Sequence, residues 1–397
     1  MPLSDVPPKP GLRRVLTLWP LIFYGLGVIV GAGIYVAIGA VLHRAGETAP
    51  LAFLLAGVCA ALTGLCYAEL GGRFPEASGG VAYVRHGFGS NRLAQVTGLA
   101  ITIAVAVSAA SIASGTIEYL RILLPLPAPL LVTLLIGGFT AVAMLGVGES
   151  VGLAGAIGAL EIVGLLAAAA AGFLAAPDFD MTGMVPLDLK GWQGVVAGAF
   201  IAFFAFIGFE TLANMGEEVK DARRTLPRGI IGAVGLSIVL YLLIVTAVVL
   251  SDRSATNPLL ALFEGKSASM FAIMGALAVG NGVLVQIVML SRLFYGMATR
   301  HQLPRVLGWV HPRTGSPVPA TLLAGAIVLV VTLTVPFGRL LVLANAITLA
   351  VFTVVDLALW RLRLLGPPPV TGFHAPAWVA PLAALLSAAL LLGEILF

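Results

Sequence analysis

Charge is what this sequence has least of. Only 10% of its 397 residues are Asp, Glu, Lys or Arg, against about 25% in a soluble domain. Hydrophobic residues make up 59% and mean hydropathy is +1.06, so the chain reads as an all-α polytopic membrane protein. No polar stretch is long enough for a separate soluble domain, which implies one transmembrane domain over residues 1–397. Cysteine is nearly absent. Cys59 and Cys66 share one apolar run, where helical spacing sets them roughly 10 Å apart, beyond the ~7 Å Cα separation of a disulfide. They read as small buried apolar residues. The five histidines, His43, His86, His301, His311 and His374, fall in or beside loops. That leaves no intramembrane His cluster for a metal and no Ser–His pair, which disfavours an intramembrane enzyme. Polar rings along the spans are lacking too, which disfavours a passive channel. The formal charge of +4 is spread over short loops and is not a nucleic-acid footprint.

What the chain has in quantity is apolar runs and glycine, 47 residues against an average usage of about 7%. Eleven spans are expected, near 18–41, 48–70, 93–122, 128–146, 150–175, 192–216, 229–250, 269–298, 318–335, 339–360 and 376–396. The first run is too long for a signal-peptide core of about 7–15 residues and is expected to remain as a span. With the N-terminus inside, the outer segments hold only Arg44, Arg121, Lys190, Arg253, Lys266 and Arg339 of the 22 Lys and Arg residues. The excess on the other face predicts a cytoplasmic N-terminus in a cell membrane and a C-terminus outside. The segment Gly71–Gly89 is too polar to span and predicts a short amphipathic helix at the inner surface.

Two spans carry interruptions. In the first, Val28-Ile29-Val30-Gly31-Ala32-Gly33-Ile34-Tyr35 puts two glycines at the midpoint, each costing roughly 1 kcal/mol relative to Ala in a helix. In the sixth, Phe203-Phe204-Ala205-Phe206-Ile207-Gly208-Phe209-Glu210 sets a glycine and an acid after a continuous apolar run. A helix broken in lipid exposes backbone groups that must line a cavity or bind something. Interrupted spans five apart point to two inverted repeats, about 18–175 and 192–360, with 376–396 peripheral. Half-helix N-termini favour an anionic group, and half-helix C-termini offer carbonyls to an ammonium. An α-amino acid carries both. The alternative is that the glycines only let helices pack closely.

These residues resemble amino acid permeases of the amino acid–polyamine–organocation superfamily, which have the LeuT-type 5+5 inverted-repeat fold. The likeness rests on Gly25 to Tyr35, on Cys66–Leu70 running into Phe74–Gly80, and on Phe203–Glu210 followed by Glu217–Lys220 and Arg224–Arg228. Ser291–Met297, Leu303-Pro304 and His311–Val318 complete it. The resemblance implies an amino acid held between helices 1 and 6. Matching positions are Ile29, Ala32 and Gly33 on the first, and Phe204, Ile207 and Gly208 on the second, with Phe204 at an aromatic gate. Family members usually have a twelfth helix, where this chain ends after the eleventh; that bears on oligomeric state and leaves the transport core unaffected.

Span five holds Glu161 on a face with Gly155 and Gly158. An acid at mid-membrane costs about 2.5–3.5 kcal/mol to insert. Proton-coupled members of the family often carry a lysine here, so the charge is inverted. Glu161 is expected to couple transport to a proton or a monovalent cation, since burial disfavours the charged carboxylate. Reading a basic substrate, or a structural role paired with Arg292, are the alternatives. Glu69, Glu210, Arg292 and Asp356 read as salt-bridged or snorkelling groups, and Asn281 and Asn345 as interhelical hydrogen-bonders. The expected function is a secondary active transporter working by alternating access, without cofactor or metal, taking up a small neutral amino acid with a proton. An exchanger or exporter, including one for basic substrates, is the alternative, ahead of a channel or a non-transporting subunit.

Overall fold

The computed structural model describes residues 16–76, 78–145, 151–176, 181–216, 218–251, 257–299, 302–366 and 372–396. These residues are helical almost throughout. In chain order the helices are α1 (Leu18–Ala45), α2 (Ala49–Arg73), α3 (Gly80–Phe88), α4 (Asn91–Leu123), α5 (Ala128–Met144), α6 (Val151–Ala175) and α7 (Leu189–Ala202). Then come α8 (Phe209–Asn214), α9 (Ala222–Leu250), α10 (Pro258–Ala261), α11 (Gly265–Thr299), α12 (Val318–Thr334), α13 (Phe337–Leu365) and α14 (Val379–Leu396). Among the described residues, seven helical stretches are long and apolar enough to cross a bilayer. Leu18–Gly31, Ala128–Met144, Val318–Thr334 and Val379–Glu394 are apolar helices of shorter length. Each expected span coincides with a helix, the sixth being divided between α7 and α8.

The bundle is arranged around α1, which packs on α6, α7, α9 and α11. α2 lies along α9, α4 along α11, and α14 against α13 and α2. At the N-terminal end of α1, Leu16 pairs as a parallel β-bridge with Val219. The Leu16 N–H donates to the Glu218 carbonyl (3.1 Å), and the Lys220 N–H to the Leu16 carbonyl (2.9 Å). This ties the start of α1 to the chain leaving α8.

The expected break in helix 1 is not present. α1 runs unbroken for 28 residues through Gly31 and Gly33. The glycines serve close packing. A Cβ on Gly33 would lie 2.5 Å from the Ala205 carbonyl oxygen, and one on Gly31 2.8 Å from the Glu161 carboxylate oxygens. Tight contact with neighbours outweighs the roughly 1 kcal/mol that each glycine costs.

Helix 6 does break. α7 ends at Ala202, Phe203–Phe206 form a 3-10 turn, Ile207 is extended, and α8 restarts at Phe209. Gly208 has φ 130°, a region that excludes side chains, so glycine is required there. The chain also departs from expectation between spans six and seven, where α9 begins at Ala222 and contains Pro227. The expected amphipathic segment is shorter than Gly71–Gly89. Gly71–Arg73 belong to α2, and the separate helix is Gly80–Phe88, ended by Gly89 in the left-handed region. α3 packs on α13, where Gly87 meets Ala358 and accepts a hydrogen bond from Arg361 at 3.2 Å.

Candidate functional site

The break frees backbone groups in the bundle interior, and several find partners. Asn345 of α13 donates to the Phe200 carbonyl at 2.9 Å and approaches that of Ile201 at 3.4 Å. The Gly208 N–H donates to Glu210 Oε2 at 2.8 Å, so an internal carboxylate already occupies one donor of the broken end. The Tyr241 hydroxyl of α9 lies 2.8 Å from the carbonyl oxygens of both Ile29 and Ala205 and has one proton to share between them. Buried polar groups inside a bilayer need such partners.

This places the expected binding residues. Ile29 and Gly33 of α1 face the 203–208 segment. Gly33 abuts the Ala205 backbone, and Gly208 abuts Val28. Phe204 is buried and Ile207 partly so. The side chain of Ala32 lies outside the described residues, as do Gly155 and Glu217. The contact between α1 and the break is close-packed. Tyr35 packs α1 against α4 and α11 instead, with Tyr119 edge-on and Phe271 tilted, both at 6.0 Å.

Two hollows flank α1. One, of about 40 Å³, runs beside Tyr24, Gly27, Val28 and Gly31 of α1, Glu161 of α6, and Asn281 and Gln286 of α11. The other, of about 590 Å³, is lined by Ala40, His43 and Arg44 of α1, Ile201 of α7, and the start of α13 including Arg339. Gly31 and Ala40 are nine residues apart on one helix, about 13 Å along its axis.

Glu161 is the buried charge of this region. It is 1% exposed, and neither carboxylate oxygen has a partner among the described residues. The considered pairing with Arg292 is not formed. Gln286 Oε1 is likewise unpartnered, while its amide nitrogen reaches Ser108 at 3.5 Å. Glu69, by contrast, is fully paired, as its sequence position suggests: Arg73 and Arg363 both bond it, and the Ala375 N–H donates to it at 2.9 Å. Asp356 accepts from Thr63 at 3.0 Å. Among the described residues no group of His, Cys, Asp or Glu could hold a metal.

Sequence reasoning passed over Tyr241 and Gln286. Each is a lone polar residue in an apolar stretch, Leu240-Tyr241-Leu242 and Val285-Gln286-Ile287, and that isolation was the available signal.

A family model described as amino acid permease matches residues 16–394. The chain belongs to the amino acid permease family. It is therefore a multi-pass membrane protein of a transporter family. It is 32% identical to cationic amino acid transporter 9, chloroplastic, of Arabidopsis thaliana over 332 residues, 76% of this chain and 58% of that protein. It is 28% identical to the methylthioribose transporter of Bacillus subtilis (strain 168) over 424 residues, covering 98% of this chain and 89% of that one. The chain thus spans under two thirds of the plant relative. The crystal structure of the Eremococcus coleocola manganese transporter, in complex with an aromatic bis-isothiourea substituted compound, superposes with a TM-score of 0.60. It covers 99% of this chain and 90% of that one at 15% identity, a likeness of fold alone.

Proposed function

We propose that the chain is a secondary carrier that moves an amino acid or a related small amine across a bilayer by alternating access. The observation that carries this is the packed waist between α1 and the broken sixth helix, with separate hollows beside the two halves of α1. A channel needs a continuous polar path; a carrier needs two half-paths and a seal that moves. In this reading the eleven spans cross the bilayer with the N-terminus inside and the C-terminus outside. Residues 18–175 and 192–360 form the two inverted repeats, and α14 stands apart. Substrate enters when the waist loosens around Ile29, Ala32, Gly33, Phe204, Ile207 and Gly208, and Glu161 serves as the coupling group for a proton or monovalent cation.

The apolar lining at Phe204 and Ile207 supports a small neutral amino acid. The unpartnered Glu161 supports a basic one, as do the plant relatives' names. Counterflow of labelled amino acids in liposomes containing the purified protein tests the carrier reading. Saturable counterflow that falls sharply in Gly208→Leu is expected. Undiminished flux in Gly208→Leu, or flux that never saturates, overturns it.

A further inference from the structure

The hollow beside Glu161 is too small for a whole amino acid. Ligand pockets span about 300–1,000 Å³, whereas one water needs about 10–15 Å³ in the measure that gives about 40 Å³ here. It is sized for a head group. The fully buried polar atoms around it that lack a partner among the described residues are acceptors, both oxygens of Glu161 and Oε1 of Gln286, with the Asn281 amide as a further polar group on the wall. Its α1 wall is Tyr24, Gly27, Val28 and Gly31, and a Cβ on Gly31 would lie 2.8 Å from the carboxylate oxygens. The missing side chain is what leaves the carboxylate its place. A carboxylate and an amide oxygen left without donors fit N–H groups bearing positive charge.

We propose that this hollow holds the cationic group of a basic amino acid or simple amine, and that the cation and a proton occupy Glu161 in turn, making the protein an exchanger. This rests on the carrier reading above and names its substrate class and coupling. An uncompensated carboxylate is disfavoured whenever the waist seals it from water on both sides. Two neutral forms remain, the protonated acid and the carboxylate paired with a cation. When an ammonium or guanidinium arrives, the carboxyl releases its proton to water on the open side, and N–H···O bonds replace the O–H bond. On the other side a proton returns and the cation leaves. Among the described residues no Lys, Arg or His lines the hollow. The titratable side chains facing Glu161 are Tyr24 and Tyr35 of α1 and Tyr241 of α9, and α11 contributes Asn281 and Gln286, which do not titrate.

The test uses full-length protein in liposomes containing a pH-sensitive dye. Lysine, arginine and putrescine are compared with alanine, and sodium chloride with choline chloride. Entry of a basic probe is expected to make the lumen more alkaline, and alanine to leave it unchanged. An acid lumen one pH unit below the outside is expected to drive about tenfold accumulation of a singly charged probe. Glu161→Gln is expected to abolish both the dye signal and the drive. Gly31→Ala, which crowds the carboxylate, is expected to raise the lysine KM severalfold. Alanine counterflow without flux of any basic probe overturns the cation site and leaves the carrier reading standing. Absence of counterflow for every probe overturns the carrier reading itself. Thermal stabilisation by sodium that is lost in Glu161→Gln assigns the hollow to a metal cation and overturns the substrate assignment. An unchanged pH profile in Glu161→Gln overturns the coupling. Should that variant fail to fold, an unchanged lysine KM in both Gly31→Ala and Gln286→Leu overturns the proposal.

Discussion

Glu69 and Glu161 are both acids with almost no exposed surface, and they meet opposite conditions. Glu69 lies between Arg73, one turn along α2, and Arg363 of α13, with the Ala375 N–H as a third donor. His374 Nδ1 stands 3.9 Å away. Removing one member of a buried ion pair costs about 3–5 kcal/mol, because the other charges stay behind. Glu69→Gln is therefore expected to lower the thermal transition of the detergent-purified protein strongly. Arg363→Lys, which replaces a planar fork by a point charge, is expected to lower it less. Glu161 has no such partners, so Glu161→Gln is expected to leave the transition unchanged or raised. A fall as large as that of Glu69→Gln would show a structural role. Gly33 belongs to this scale as well. A methyl there would lie 2.5 Å from the Ala205 carbonyl oxygen. Overpacking of this kind costs about 1–3 kcal/mol, and Gly33→Ala is expected to show that loss in thermal unfolding.

Among the elements, the broken sixth helix and the strap beyond α8 belong together. The Leu16–Val219 bridge ties the start of α1 to the chain after α8. Leu16→Pro removes the N–H that donates to Glu218, and is expected to slow counterflow while the thermal transition holds. Equal loss of both would mean the bridge only stabilises. α3 offers a pH-dependent contact outside the spans. Burial alone would raise the pKa of Glu76, but hydrogen bonds and charge from His86 and Arg85 outweigh it and hold it below the ordinary value. A carboxylate depressed in the folded state contributes stability above its unfolded pKa, and that contribution is lost as pH falls through the folded one. The protection of the Gly80–Phe88 amides, with the intrinsic pH dependence of exchange divided out, is expected to be steady near neutrality and to fall only as pH drops below the ordinary carboxylate range. The change is expected to be small, because Glu76 is 36% exposed and screened by solvent.

For the whole molecule, orientation is the property most directly open to measurement. Cys59 and Cys66 are fully buried, so a thiol introduced at the surface can be labelled against a quiet background. A cysteine at Lys190 is expected to react with an impermeant reagent from outside intact cells, and one at Lys220 only after lysis; the reverse pattern would invert the assigned topology. The spans were legible in the residues because a bilayer sets the length of an apolar run and penalises every charge within it. The break in helix 6 was legible because a glycine and an acid interrupt that run together. Helix 1 was misread because a glycine that breaks a helix and one that admits a neighbour look alike in sequence. Here Ala205 and Glu161, distant along the chain, take the space their side chains would fill. The sequence by itself determined a membrane-embedded helical chain, its family, and a lone acid in span five. Only the tertiary structure decided that this acid lacks a partner among the described residues and borders a hollow shared by four helices, since burial and pairing depend on what other segments bring alongside.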